Sequence, residues 1–264
     1  MVFNRMITST ANAKVKRLVN LGRKAKLRYS EGVFLVEGIK MFLEAPTEWV
    51  KEIYVSESFL EKNPPEQLKN RSYEVVSDAV FQKISDTQTP QGVLCVMKMP
   101  EYKLVELLNT NKKRALFLLL EDIQDPGNLG TMFRAGEGAG IDGVIMTQNT
   151  VDIFNPKVVR STMGSIYRIP FIITSDILQT ITDLKAGGVT VYAAHLKESA
   201  DYDLQDYTRP TAFLIGNEAN GLKDETADMA DCYIKIPMKG QVESLNAAVA
   251  SSVLMYEAAR QNKA

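Results

Sequence analysis

A chain of 264 residues is long enough for one large domain or two smaller ones, and its 45% apolar and 24% charged residues exclude collagen-like, disordered and disulfide-rich classes. The longest apolar runs, such as ALFLLL at 115–120, are too short to span a bilayer, and MVFNRMITSTANAKVKR lacks the apolar stretch of a signal peptide. The net charge of −1 hides an uneven layout, because every acid lies beyond residue 30.

The first 30 residues carry Arg5, Lys14, Lys16, Arg17, Arg23, Lys24, Lys26 and Arg28. A basic arm of this kind is an electrostatic footprint for phosphate backbones, with a solvated helix face as the plainer reading. Beyond it, VFLVEG, WVKEIYV, YEVV and GVLCVM predict strands at 33–38, 49–55, 73–76 and 92–97. GIKMFLEA, SESFLEK and SDAVFQKI between them predict helices, the last opening on the cap candidates Ser77 and Asp78. Residues 98–114 read as a linker helix, so the boundary between two α/β domains falls near residue 105, giving 1–105 and 106–264.

The second part alternates more strongly. ALFLLLE, GVIMT, YRIPFII, VTVYAAHL, AFLIGN and CYIKIP predict strands beginning at 115, 143, 167, 189, 212 and 232. Continuous apolar runs of this type suit a mainly parallel sheet covered on both faces, with ligands at the carboxyl ends of its strands. Cys95 and Cys232 sit on strand-like segments and read as reduced core residues. His195 is the sole histidine, so a zinc site built from Cys and His is disfavoured, and the ring itself reads as a core or surface residue.

Three loops carry possible chemistry. In DPGNLGTMFRAGEGAG, Pro, Gly and Asn suit a tight turn with Asn128 as helix cap. That reading leaves Arg134 unexplained. It lies four residues past Gly130 and four before Gly138, on a face where missing side chains leave room for a ligand. In LIGNEANGLKDE, Gly221 is followed by Leu222 rather than by Lys-Ser/Thr, which disfavours a phosphate-binding loop and leaves Glu218 as a carboxylate at a strand end. In IPMKGQVESLNAAVASSVLMYE, Ser244 and Asn246 start a helix apolar nearly all round, as expected of one buried on several sides or packed on another chain.

Taken together, DPGNLGTMFR, GNEANG and PMKGQVESLN resemble the three motifs of the SpoU, or TrmH-type, branch of the SPOUT RNA methyltransferases, in the family's order. NAKVKRLVNLGRKAKLRYSEGVFLVEGIKMFLEA is similar to the ribosomal-protein-like substrate-binding domain often fused to it. Ala247 and Ala248 stand where many members have Val and Ser. The resemblance implies methyl transfer from S-adenosylmethionine to a ribose 2′-hydroxyl of RNA, a C-terminal trefoil knot and a homodimer; a sulfonium methyl is already activated, so no metal is expected, and the lack of a signal-like stretch predicts a cytoplasmic protein. Carried over by motif position, Arg134, Asn128, Glu218, Ser244 and Asn246 form the catalytic set. The cofactor would be held by Gly216, Ile236 and Leu245, with Leu196, Met238 and Ser244 nearby. Lys14, Lys16, Arg17, Arg23, Lys24, Lys26 and Arg28 would grip RNA, with ribosomal RNA favoured over transfer RNA. An RNA-binding module without catalysis is the rival reading, and the joint presence of the five catalytic candidates argues against it. A nicotinamide dehydrogenase would need a glycine fingerprint that the chain lacks.

Overall fold

The structure, a computed structural model, describes residues 6–62, 68, 71–108, 114–196 and 199–262. The chain divides into two units, Met1–Glu101 with Asp152–Tyr167, and Tyr102–Val151 with Arg168–Ala264.

In the first unit the basic arm folds into α1 (Ala13–Arg23) and α2 (Ala25–Glu31). The side chain of Asn12 accepts the Lys14 N–H and starts α1, and Gly32 at φ +61° stops α2 in a left-handed turn that glycine adopts at no steric cost. There follow β1 (Val33–Glu37), α3 (Ile39–Glu44), β2 (Val50–Ser56), α4 (Glu57–Lys62), β3 (Glu74–Val76), α5 (Asp78–Ile84) and β4 (Val93–Lys98). All four predicted strands and all three predicted helices form, and Ser77 is the cap of α5. The sheet runs β1-β4-β2-β3, antiparallel except between β2 and β3. Val15, Leu18 and Leu21 repeat at helical spacing on α1 and pack with Val80, Phe81 and Ile84 of α5 over Leu35, Tyr54 and Leu94.

The stretch 152–167 returns to this unit, a second crossing of which the sequence gives no sign. Its helix Pro156–Ser161 packs on β1, the Phe154 ring lies 4.9 Å from that of Phe34, and Asp152 pairs with Arg28. Tyr167 donates to the Met41 carbonyl at 3.1 Å. The strand predicted from 167 therefore begins only at Phe171, after Pro170, which has no N–H for a ladder.

The second unit comprises α6 (Leu104–Leu108), β5 (Leu116–Leu120), α7 (Pro126–Ala139), β6 (Gly143–Thr147), β7 (Phe171–Thr174), α9 (Ile177–Ala186), β8 (Thr190–Ala194), β9 (Ala200–Asp201), β10 (Thr211–Ile215), α10 (Asp224–Ala227), β11 (Cys232–Lys235) and α11 (Ala247–Gln261), with α8 the helix at 156–161. Only part of the predicted linker helix is seen, as α6; residues 109–113 lie outside the described residues. The sheet is parallel throughout, in the order β7-β6-β5-β10-β8-β11-β9. Every residue of β5 and β10 is buried, which is why these strands read as unbroken apolar runs. Cys95 is buried and Cys232 half-buried, and both are free thiols. The chain steps outward from β5 to β7, returns at β8, and then inserts β10 between β5 and β8. The turns after β5, β8 and β10 consequently leave the same sheet edge side by side, the place where open parallel sheets bind ligands.

Candidate active site

α7 starts three residues earlier than the sequence suggests. Asp125 is its cap, accepting the Asn128 N–H at 2.8 Å, and Pro126 occupies the first turn, where a missing N–H costs nothing. Asn128 is thus inside the helix, and its amide is free for other work. Its Nδ2 donates to Glu218 Oε1 at 3.0 Å, and its Oδ1 accepts from Asn246 Nδ2 at 3.0 Å. Asn246 is the cap of α11, with Oδ1 accepting the N–H groups of Ala248 and Val249. Residues 128, 218 and 246, up to 118 positions apart, form one hydrogen-bonded line.

Glu218 also accepts the backbone N–H groups of Gln124 and Asp125, both at 3.0 Å. Partial burial pushes its carboxyl upward, and the Asn128 amide and these two N–H groups outweigh that, holding it below the ordinary carboxylate range. The carboxylate therefore pins the loop after β10 to the entry of α7.

Beside this line lies a cavity of about 650 Å³, within the range typical of small-ligand clefts. Gly216, Ile236, Leu245, Leu196, Met238 and Ser244 all line it, together with Glu218 and Asn246. Gly216 is fixed by sterics: a Cβ there would stand 2.2 Å from the carbonyl carbon of Gly221. Leu196 is 61% exposed, far more than an aliphatic side chain on a buried sheet, and it forms part of the rim. Arg134 and Asn128 do not line the cavity. Arg134 stands exposed, about 9 Å along the α7 axis from Asn128, and no hydrogen bond or ion pair holds it among the described residues.

Several sequence expectations need correction. The glycine face of α7 is only partly open: Gly130 is buried, and at the exposed Gly138 the Oη of Tyr256 of α11 would lie 2.5 Å from an added Cβ. Of the two settings expected for α11, burial on several sides is not seen, because the helix is buried along one stripe. Ala248, Ser251, Leu254, Met255 and Ala258 are buried, whereas Val249 and Tyr256 are exposed. His195, expected as a core or surface residue, is half-buried and lines the cavity, with its ring 5.0 Å from that of Tyr233.

The basic arm is only partly available as a phosphate surface. Arg28 is 3% exposed, pairs with Asp152 and donates to the Leu21 carbonyl at 2.7 Å. Arg17 is held by Glu31 and Glu52, and Lys14 by Glu74. These three neutralise acids of their own unit. Lys16, Arg23, Lys24 and Lys26 are exposed and unpaired among the described residues, while Arg5 lies outside them.

The sequence reading missed Glu121 and Asp122. Their signal was two acids directly after the apolar run LFLLL, at the carboxyl end of a buried strand.

The fold and these residues match known proteins. Residues 115–256 match the SpoU rRNA Methylase family, and residues 12–95 match an MRM3-like substrate binding domain. The chain is 37% identical over 257 residues to the 23S rRNA (guanosine(2553)-2′-O)-methyltransferase RlmP of Bacillus subtilis, covering 96% of this chain and 98% of that one. It is 30% identical to a 23S rRNA (uridine(2479)-2′-O)-methyltransferase of Streptomyces viridochromogenes, covering 97% and 92%. Among solved structures, the AdoMet-bound rRNA methyltransferase from Sinorhizobium meliloti superposes with a TM-score of 0.86 at 31% identity over 98% of this chain and 99% of that one. With a family model spanning more than half its length and relatives aligned from end to end, the chain belongs to the SpoU rRNA methylase family.

Proposed function

We propose that this chain transfers a methyl group from S-adenosylmethionine to a ribose 2′-hydroxyl of ribosomal RNA. The observation that carries the reading is the Glu218–Asn128–Asn246 line, which brings three motifs to one edge of a cavity of suitable size. The cavity fits the cofactor: Leu196, Ile236 and Leu245 offer aliphatic walls for a flat base, Gly216 leaves bare backbone for close approach, and Met238 and Ser244 complete the enclosure. When bound, S-adenosylmethionine supplies a methyl group already activated by its sulfonium.

The protein then needs alignment more than chemical force. Holding the reacting groups in place contributes roughly 7–11 kcal/mol. Arg134 serves as a donor rather than as a base, because a guanidinium presents five N–H groups and no acceptor. Its role is a bidentate grip on the RNA phosphate beside the target ribose, which orients the 2′-oxygen and stabilises the charge developing there, while the hydroxyl proton passes to that phosphate or to a water and the methyl leaves sulfur, giving S-adenosylhomocysteine. Asn128, held at both ends by Glu218 and Asn246, orients the ribose from the start of the same helix. Ser244 lines the cavity and offers a hydroxyl to the bound ligands. The first unit selects the RNA through Lys16, Arg23, Lys24 and Lys26, since folded RNA is gripped largely by backbone and shape.

The proposed assembly is a cytoplasmic homodimer whose C-terminal segment is threaded as a trefoil knot, with no metal in the reaction. Val249 and Tyr256, seven residues apart on α11 and 48% and 51% exposed, support a paired face. No helix among the described residues is long and apolar enough to cross a membrane.

The test is to incubate the protein with methyl-labelled cofactor and total cellular RNA, then map resistance to alkaline cleavage. One gap in the ladder of a ribosomal RNA is expected. Arg134→Ala should bind cofactor normally and transfer about 10²–10³-fold more slowly. Absence of label in any RNA overturns the function, and a full rate in Arg134→Ala overturns the role of the arginine.

A further inference from the structure

The loop Gly216–Leu222 supplies one continuous stretch of the cavity wall. It is closed on itself by the mutual backbone bonds of Asn217 and Gly221, at 3.0 and 2.8 Å, and by Asn217 Oδ1, which accepts the N–H groups of Ala219 and Asn220. Closure fixes the loop's shape and leaves its place on the sheet to other contacts. Besides the Glu218 carboxylate, which ties the loop to the entry of α7, those contacts lead on both sides of the loop to one dipeptide at the end of β5. Before the turn, Asn217 Nδ2 donates to the Asp122 carbonyl at 2.8 Å. After it, Lys223 Nζ reaches Asp122 Oδ2 at 2.9 Å, the Lys223 N–H donates to Glu121 at 2.9 Å, and Thr226 Oγ1 donates to Glu121 at 2.6 Å.

Asp122 makes its part of this possible by an uncommon backbone conformation. Its φ is +54°, in the left-handed region that a non-glycine residue occupies at a steric cost and that Asp and Asn tolerate best. Thr147, the last residue of β6, holds it there. The Thr147 hydroxyl accepts the Asp122 N–H at 2.9 Å and donates to Asp122 Oδ1 at 2.7 Å. One residue thus ties together the ends of β5, β6 and β10. Neither Asp122, Thr147 nor Lys223 lines the cavity. A locally costly conformation, fixed from several directions next to a binding wall, is the pattern of stored strain at functional sites.

We propose that Asp122 is a positioning residue for the cofactor cavity, locking the loop 216–222 in place through its carbonyl and both carboxylate oxygens. The proposal rests on the cofactor reading above. Its strength lies in the backbone as much as the charge: only a residue that accepts positive φ and offers a side-chain acceptor fills both requirements. Asn keeps the φ and the acceptor for Thr147 and gives up only the ion pair to the half-exposed Lys223, whereas Gly keeps the φ and loses every side-chain contact. Because the lock acts on the wall and not on the transferred methyl, it bears equally on S-adenosylmethionine and on its demethylated product, S-adenosylhomocysteine.

The experiment is calorimetric titration of the full chain with each of these two ligands, alongside amide hydrogen exchange of the free protein. Asp122→Gly should weaken both ligands alike by about tenfold, and Asp122→Asn should stay within about threefold of wild type. Exchange at the amides of 217–223 should accelerate in Asp122→Gly while the amides of β5 and β10 keep their protection. Lys223→Met, which keeps its backbone bond to Glu121, should accelerate the same amides to a lesser degree and serves if the glycine variant does not fold. Wild-type affinity together with unchanged loop exchange in Asp122→Gly overturns the proposal, as does an equal loss in the Asn and Gly variants. If wild type binds neither ligand, the function proposed above fails, while the exchange comparison still decides whether Asp122 locks the loop.

Discussion

At Glu218, burial opposes ionisation while one side-chain amide and two backbone N–H groups favour it, and the donors win. Its folded pKa is depressed, so the stability it adds is present above the ordinary value of 4.5 and is lost as the pH falls through the lower folded value. Glu218→Gln keeps the shape and removes the charge. It should lower the unfolding midpoint at neutral pH, and that deficit should shrink at an acid pH below the folded value, where the native carboxyl also takes a proton. Melting curves at the two pH values check this; a deficit independent of pH would show that the three donors do not respond to the charge. Gly216 answers to sterics instead. Gly216→Ala places a carbon 2.2 Å from backbone that cannot move without opening the turn, so ligand titration should find at least about a hundredfold loss of cofactor affinity.

On the scale of one element, α11 does two jobs with one residue. Asn246 Oδ1 caps the helix and Nδ2 reaches Asn128, so two substitutions separate them. Asn246→Asp keeps an equally good cap but loses the donor, and should leave the melting temperature within about 1 °C while slowing methyl transfer at least about tenfold. Asn246→Ala loses both, costing about 1 kcal/mol, or roughly 2–4 °C, in addition to the lost rate. Thermal scans and single-turnover rates on the two variants decide it; equal rates in Asp and wild type would remove the Asn128 link from the mechanism. α7 carries the complementary lesson. Its first turn presents Asn128, its middle presents Arg134, and the glycine at 138 accommodates Tyr256 of α11, so small residues on a helix face can mark close helix packing as readily as a ligand.

For the whole molecule, the basic arm divides into cations that build the first unit and cations that face solvent. Changing Lys16, Arg23, Lys24 and Lys26 together to Gln should weaken RNA binding and flatten its salt dependence. Each lost phosphate contact lowers the log–log slope by about 0.7–0.9, while cofactor affinity stays unchanged. Filter binding across a salt series measures both. Arg28→Ala should act differently, destabilising the protein by roughly 3–5 kcal/mol, because it leaves Asp152 without its buried partner. Denaturant titration measures that loss, and a stable Arg28→Ala protein with weakened RNA binding would return Arg28 to the RNA surface.

Local rules were enough for much of this. Apolar runs such as LFLLL announced buried parallel strands, the alternation of strand and helix announced α/β units, and the three motifs announced the family, because each depends on residues adjacent in the chain. Family analogy, not a local rule, named Gly216, Ile236, Leu245, Leu196, Met238 and Ser244, all of which line the cavity. What local rules could not supply was the meeting of residues separated by about a hundred positions. Strand order decides that Asn128, Glu218 and Asn246 form one line, that Asp122 holds the loop after β10, and that Asp152 buries Arg28. A charge written in the sequence is the same whether it faces RNA or another side chain; only packing sets its partner and its exposure to water, and with them the work it does.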